Sequence, residues 1–300
     1  MPLKSMLLGG LLLLLPALCS ARLLTDQVGR QVNVPDRPQR VIALAPSIVE
    51  VVYALGRQEL LKGATEYSDE PPAARQLPRV GSYVRLDLEK IVALKPDLCL
   101  AVKDGNPLAV VERLVALGIP VYVVDPRSLT AVMATITGLG EVLGAPAEAA
   151  SITAGMRSRI ARVRTRLAES TTRPPVFFQI DAAPIVSAGR HTFIDELITL
   201  AGGVNLAARD GAEGYPKFSW EDILRFQPEV VLVAAMAGGY SAAELKRGWQ
   251  AWPQLPAVKS GRLHVLSADL VDRPTPRLID GLETFAALIH PELFGADARR

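Results

Sequence analysis

The sequence has little histidine, little cysteine and almost no net charge. Its three histidines, His191, His264 and His290, lie far apart, and with two cysteines in the whole chain no His/Cys set of zinc type can be built locally. A dedicated metal site is not expected. Lysine and arginine number 33 against 31 acids, so the basic field on which sequence-independent nucleic-acid binding depends is missing. DNA and RNA are set aside as partners. Catalytic templates are missing as well: there is no G-x-S-x-G, no H-E-x-x-H, no P-loop and no G-x-G-x-x-G after a strand. Ser187 lies near His191, but nothing fixes a third partner for them. Glycine and proline, 23 each, show no collagen period and no low-complexity tract, so a disordered or fibrous chain is excluded.

Long hydrophobic runs are also missing. The apolar run Met6 to Leu15, after Lys4, is about ten residues, short of the roughly 20 needed to span a bilayer. Followed by Pro16 and the small residues Cys19, Ser20 and Ala21, it reads as a signal peptide over residues 1–21, cleaved after Ala21, which exports the chain. A lipid anchor at Cys19 is the competing reading; Leu18 stands where a small residue usually precedes a lipidated cysteine. Cys99, in the apolar run Leu98 to Val102, then reads as a small core hydrophobe.

What is present is an ordinary globular composition: 300 residues, 49% hydrophobic, enough for one or two cores. Strand-type runs at Val41 to Ala45, Leu98 to Val102, Val121 to Val124, Val176 to Ile180, Val230 to Ala234 and Leu263 to Leu266 alternate with helical patterns. The helices are expected at Ile48 to Leu55, Leu88 to Leu94, Val110 to Leu117, Phe193 to Ala201, Glu221 to Phe226 and Leu278 to Ile289. Such alternation predicts α/β architecture with parallel sheets. Asp26 to Pro35 predicts a leading hairpin around Gly29. Between Ala147 and Ala168 the residues Ile152, Met156, Ile160, Val163 and Leu167 form one apolar stripe, bracketed by Pro146 and Pro174. At about 1.5 Å per residue this helix reaches roughly 33 Å and is expected to be a rod between two lobes. Its five arginines, Arg157, Arg159, Arg162, Arg164 and Arg166, predict a solvated outer face.

An internal repeat points to two lobes as well. Glu89 to Leu100 aligns without gaps on Glu221 to Leu232 at a constant offset, matching Glu89 with Glu221, Ile91 with Ile223 and Pro96 with Pro228. Each copy reads as a short helix, a proline stop and a buried strand. The organisation expected is an N-terminal lobe over 22–143, a linking helix over 144–170 and a C-terminal lobe over 171–300.

Glu89 and Glu221 follow the capping types Asp87 and Ser219. They are either first-turn carboxylates favoured by the helix dipole or, from their matched placement, a pair of exposed acids suited to a two-fold basic partner. Tyr67, Tyr83 and Tyr215 lie in polar Gly/Pro loops, where aromatics pack the loop or line a ligand site. The loop Lys103 to Asn106 follows a strand end, the ligand position of open α/β sheets. Ser267 to Arg277 crowds Asp269, Asp272, Arg273 and Arg277 into one loop, either to bond a polar ligand or to close a surface network.

In the segments RVIALAPSIVE (40–50), YSDEPP (67–72), LEKIVALKPDL (88–98) and DRPTPR (272–277) the chain resembles the periplasmic cobalamin-binding protein family, from roughly Val41 to His290. The resemblance implies two Rossmann-like lobes joined by one long α-helix, with a ligand cleft between them. It implies an exported, monomeric substrate-binding protein of an ABC importer, with no catalysis and no cofactor, that delivers cobalamin or a related corrinoid to a permease dimer in the inner membrane. It places Pro46, Ser47, Tyr67, Tyr83, Tyr215, Asp269, Asp272 and Arg273 at the ligand and Glu89 and Glu221 at the permease. Tyr83, Val102, Tyr215 and Leu270 stand where cobalamin binders tend to have tryptophan or phenylalanine. Haem and ferric-siderophore binders of the same class are the alternative, with Tyr83 as haem ligand beside Arg85. A different class, a periplasmic tetrapyrrole-handling enzyme or chelatase, would use Tyr83, Asp269 and His191.

Overall fold

Two parallel sheets of four strands organise the chain. The structure, a computed structural model, describes residues 21–235 and 240–294; residues 1–20 of the expected leader, Cys19 among them, lie outside the described residues. In the first sheet the order is Leu61–Ala64, Val41–Ala43, Leu98–Val102, Val121–Val124. The second runs Val204–Asn205, Pro175–Gln179, Val230–Ala235, Leu263–Ser267. Numbered within its own lobe, each sheet has the order 2-1-3-4, and every pairing is parallel. Both therefore have a switch point between their first and third strands, where an open α/β sheet leaves a crevice for ligands.

The repeat read in the sequence is a structural repeat. Helix Leu88–Ala93 leads to strand Leu98–Val102, and helix Trp220–Phe226 leads to Val230–Ala235. Lys95 and Gln227, equivalent in the repeat, both take the left-handed backbone, with φ of 49° and 50°. The chain leaves each helix by the same left-handed turn and enters the strand through Pro96 or Pro228.

The linking helix runs over Pro146–Leu167. Its first half packs on helix Leu129–Val142 and its second on Phe193–Leu200 and Leu278–Ile289, burying Met156, Val163 and Leu167. Ile152 and Ile160, at the edge of the stripe, are half-buried. The arginine face is more engaged than a purely solvated one, because Arg159 meets Asp280 at 2.5 Å and Glu283 at 2.6 Å, tying the rod to the last long helix.

The leading hairpin is displaced from its expected position: its strands are Ala21–Thr25 and Gln31–Pro35, and Asp26–Arg30 is the turn. Asp26 is buried there and accepts from the backbone N–H of Val28 and Arg30 and from the Arg30 guanidinium. Helices Leu129–Val142 and Ala242–Gln250 and strands Leu61–Ala64 and Val204–Asn205 are not expected from the sequence. The two strands are short and lack a β-branched run, so only pairing with a central strand makes them extended. Side chains such as Ile42, Leu98, Leu100, Phe177 and Phe178 are fully buried in the sheets, each worth about 1.5–3 kcal/mol. Cys99 is buried as expected, and burial first, then Asp97, pushes its thiol up to about 12.

Candidate functional site

The first sheet delivers its residues to one edge through Asn106. The Asn106 side-chain amide donates to the carbonyl oxygens of Leu44 (2.7 Å) and Tyr83 (2.8 Å), and its oxygen accepts from the N–H of Val102 (2.8 Å). One buried amide thus fixes the ends of two strands and the tyrosine loop together, and none of these groups is left unpaired. The Tyr83 ring lies on Gly105, where φ is +145° and an added Cβ would come within 2.8 Å of the ring. Pro46 and Ser47 form the first turn of helix Pro46–Ala54 just beyond Leu44; Ser47 is buried and Pro46 half-buried. Tyr67 sits in a tight turn with φ of 65° and is 62% exposed. The Arg79 guanidinium holds that turn by donating to the carbonyls of Thr65 (2.9 Å) and Ser68 (3.1 Å).

The second sheet contributes the loop after strand Leu263–Ser267. From it Arg273 crosses to the other lobe: one guanidinium nitrogen donates to Glu50 Oε1 at 2.8 Å, and the other lies 3.2 Å from both the carbonyl of Tyr67 and Asp269 Oδ1. Arg277 approaches Glu50 Oε2 at 3.4 Å. Glu50 is buried, so a single carboxylate of the N-terminal lobe neutralises two cations of the C-terminal lobe.

Asp272 sits beside this network and is treated differently. Both of its carboxylate oxygens are excluded from solvent, and among the described residues neither has a hydrogen-bond partner. Burial, with the neighbouring Asp269 adding to it and Arg273 opposing, raises its pKa to about 7. Tyr215 is coupled to the same place. Desolvation first, then Asp104 and Asp272, push its phenol above its ordinary value, while Arg127 pulls the other way. Asp104 and Arg127 form an ion pair at 3.1 Å on the opposite lobe. Residues from both lobes thus converge: Tyr67, Tyr83, Asp104 and Arg127 from the first, and Tyr215, Asp269, Asp272 and Arg273 from the second.

The set Tyr83, Asp269 and His191 is not assembled. Asp269 is engaged by Arg273, His191 faces Glu213 at 3.4 Å in an exposed loop, and no hydrogen bond or ion pair joins the three among the described residues. Sequence reasoning misses Glu50 and Asn106 as site residues, although both lie in segments that it singles out. Asn106 has a signal, a polar residue shortly after the apolar strand Leu98–Val102, which by itself does not distinguish a bridge from a surface group; Glu50, inside helix Pro46–Ala54, has none.

Glu89 and Glu221 project from the repeated helices. Asp87 caps the first by accepting from the N–H of Lys90, and a Ser219–Asp222 capping box closes the second. Neither cap uses the glutamate, and both glutamates are exposed. The backbone N–H at its own position, then Ser219, holds the Glu221 carboxyl below the usual range.

A family model described as periplasmic binding protein matches residues 41–270. The chain belongs to the periplasmic binding protein family. This periplasmic binding protein is 34% identical over 253 residues to the vitamin B12-binding protein of Vibrio cholerae serotype O1, a match covering 83% of this chain and 88% of the relative. Among solved structures, the periplasmic vitamin B12 binding protein of Vibrio cholerae superposes with a TM-score of 0.76 at 32% identity, covering 86% of this chain and 98% of the other. A periplasmic heme binding protein from Pseudomonas aeruginosa superposes with a TM-score of 0.77 at 31% identity, covering 85% and 94%. The fold is therefore the two-lobed one of these proteins. No described helix is long and apolar enough to cross a membrane.

Proposed function

We propose that this periplasmic binding protein captures cobalamin or a related corrinoid between lobes 22–143 and 171–300, linked through 144–170. The loaded protein, a monomer, then delivers it to the permease dimer of an ABC importer. The observation that carries this reading is the convergence of Tyr67, Tyr83, Tyr215, Asp269, Asp272 and Arg273 at the facing edges of two sheets, in a chain one-third identical to vitamin B12-binding proteins over most of its length. Pro46 and Ser47 complete the wall on the N-terminal side. The cargo is carried unchanged, and residues 1–21 export the chain. A second reading, haem, draws on one observation: Tyr83 is 39% exposed, two residues from the exposed Arg85, and suits a phenolate ligand with a supporting cation.

Titration of the mature protein with cyanocobalamin and with haemin, followed by heat release and by the visible spectrum, separates the two. Saturable binding of cyanocobalamin is expected; a tyrosinate-type haem spectrum lost in Tyr83→Ala would transfer the assignment to haem, and turnover of either compound on mixing would make the protein an enzyme.

Glu89 and Glu221 form the docking pair for arginines of the permease. Glu89→Arg or Glu221→Arg should each weaken binding to the permease in nanodiscs by roughly tenfold or more, as charge reversal at a complementary interface does, with ligand binding retained. Undiminished permease binding by the double variant would exclude this role.

A further inference from the structure

Four cations around the cleft are already held by protein carboxylates. Arg273 and Arg277 converge on Glu50, Arg273 also meets Asp269, Lys103 pairs with Asp125 at 3.1 Å, and Arg127 pairs with Asp104 and Asp125 at 3.1 and 2.8 Å. The interlobe cluster of Glu50, Asp269, Asp272, Arg273 and Arg277 holds three carboxyl groups against two guanidinium groups. It therefore offers hydrogen-bond acceptors and no surplus positive charge. A ligand carboxylate entering such a place gains no free cation there and meets the exposed Asp269, whereas a neutral amide donates to it.

We infer that Glu50, by holding Arg273 and Arg277, sets the charge preference of the cleft toward ligands with neutral amide side chains and against ligands bearing carboxylates. Glu50 is a positioning residue here, since it acts through the two arginines. This inference rests on the tetrapyrrole reading above and makes a separate demand on it: corrinoids differ from haem in carrying amides where haem carries carboxylates. Glu50 is the only one of the five that sits in the N-terminal lobe, so its charge also decides which lobe holds the arginines in check.

The test compares each ligand with a partner differing only in charge: cyanocobalamin with its monocarboxylic acid, in which one peripheral amide is hydrolysed, and haemin with its dimethyl ester. The wild-type protein should prefer the uncharged member by roughly tenfold, the ratio that one charge-assisted hydrogen bond represents. In Glu50→Gln the two arginines are released and the preference should vanish or invert. In Arg277→Gln, which removes a partly exposed cation and leaves Glu50 with Arg273, the preference should grow. A general loss of fold or packing would weaken both members of a pair alike and leave their ratio unchanged. If Glu50→Gln does not fold, Arg277→Gln decides alone. Ratios that stay within twofold of wild type overturn the inference while leaving the ligand reading in place. Binding of the haemin pair only would overturn the corrinoid reading and leave the role of Glu50 to be read from that pair, and silence of the wild-type protein toward all four compounds would overturn both.

Discussion

Asp272→Asn is expected to stabilise the unliganded protein by up to about 4 kcal/mol at pH 8 and to change it little at pH 4. An aspartate in an unfolded chain ionises near pH 3.9, whereas Asp272 in the folded protein holds its proton to about 7. Below both values the carboxyl is protonated in either state and contributes no difference. As pH rises through the window from about 4 to about 7, the unfolded chain ionises first and is favoured, so wild-type stability falls, and it levels off once the folded group has also lost its proton. The gap is a factor of about a thousand in acidity, equivalent to about 4 kcal/mol. Asparagine is neutral throughout and escapes this loss, while its buried amide resembles the protonated acid. Urea unfolding at pH 4, 6 and 8 measures the effect. Parallel pH profiles for the two proteins would show that the Asp272 carboxylate is solvated in solution.

The opposite sign is expected one contact away. Glu50→Gln leaves Arg273 and Arg277 without their shared counter-charge in a place where the Glu50 side chain is 6% exposed. Removing one partner from a buried ion pair costs about 3–5 kcal/mol, because the remaining charge has lost both water and partner. Replacing Glu50 and Arg273 together by methionine should cost less than Glu50→Gln alone, since only the partly exposed Arg277 is then left without its carboxylate. A loss below about 1 kcal/mol in Glu50→Gln would place the cluster among solvent-screened surface pairs. The two substitutions act on neighbouring groups, so their effects are not expected to add.

The fold is legible in the sequence wherever burial leaves a periodic trace. The strands Leu98–Val102 and Val121–Val124 match their expected bounds, and the linking helix begins and ends within one residue of the expected span. The repeat at Glu89 and Glu221 is visible because the same helix, left-handed turn and strand demand the same residue types twice. Elements without such a trace are missed. Leu61–Ala64 is a strand because Val41–Ala43 offers it hydrogen bonds, not because of its own residues. The site is legible as loops and less so as contacts. Arg273 and Arg277 stand out within an unusual loop, but Glu50, more than 200 residues earlier, shows nothing locally that would mark it as their partner. Asp272 and Asp269 look alike in the sequence; only the structure buries both oxygens of one and pairs the other with arginine.

The single linking helix has a mechanical meaning. Arg159 fastens its second half to the last long helix, and its first half is packed on Leu129–Val142. The lobes are thus joined by a packed helix rather than by crossing strands, and if that helix keeps them stiff the distance between Glu89 and Glu221 would act as a fixed gauge. A receptor with two matching basic sites can recognise that gauge whether or not the cleft is filled. Loaded and empty forms would then compete for the same receptor, and the cargo must make itself felt through the edges of the cleft rather than through a change in span.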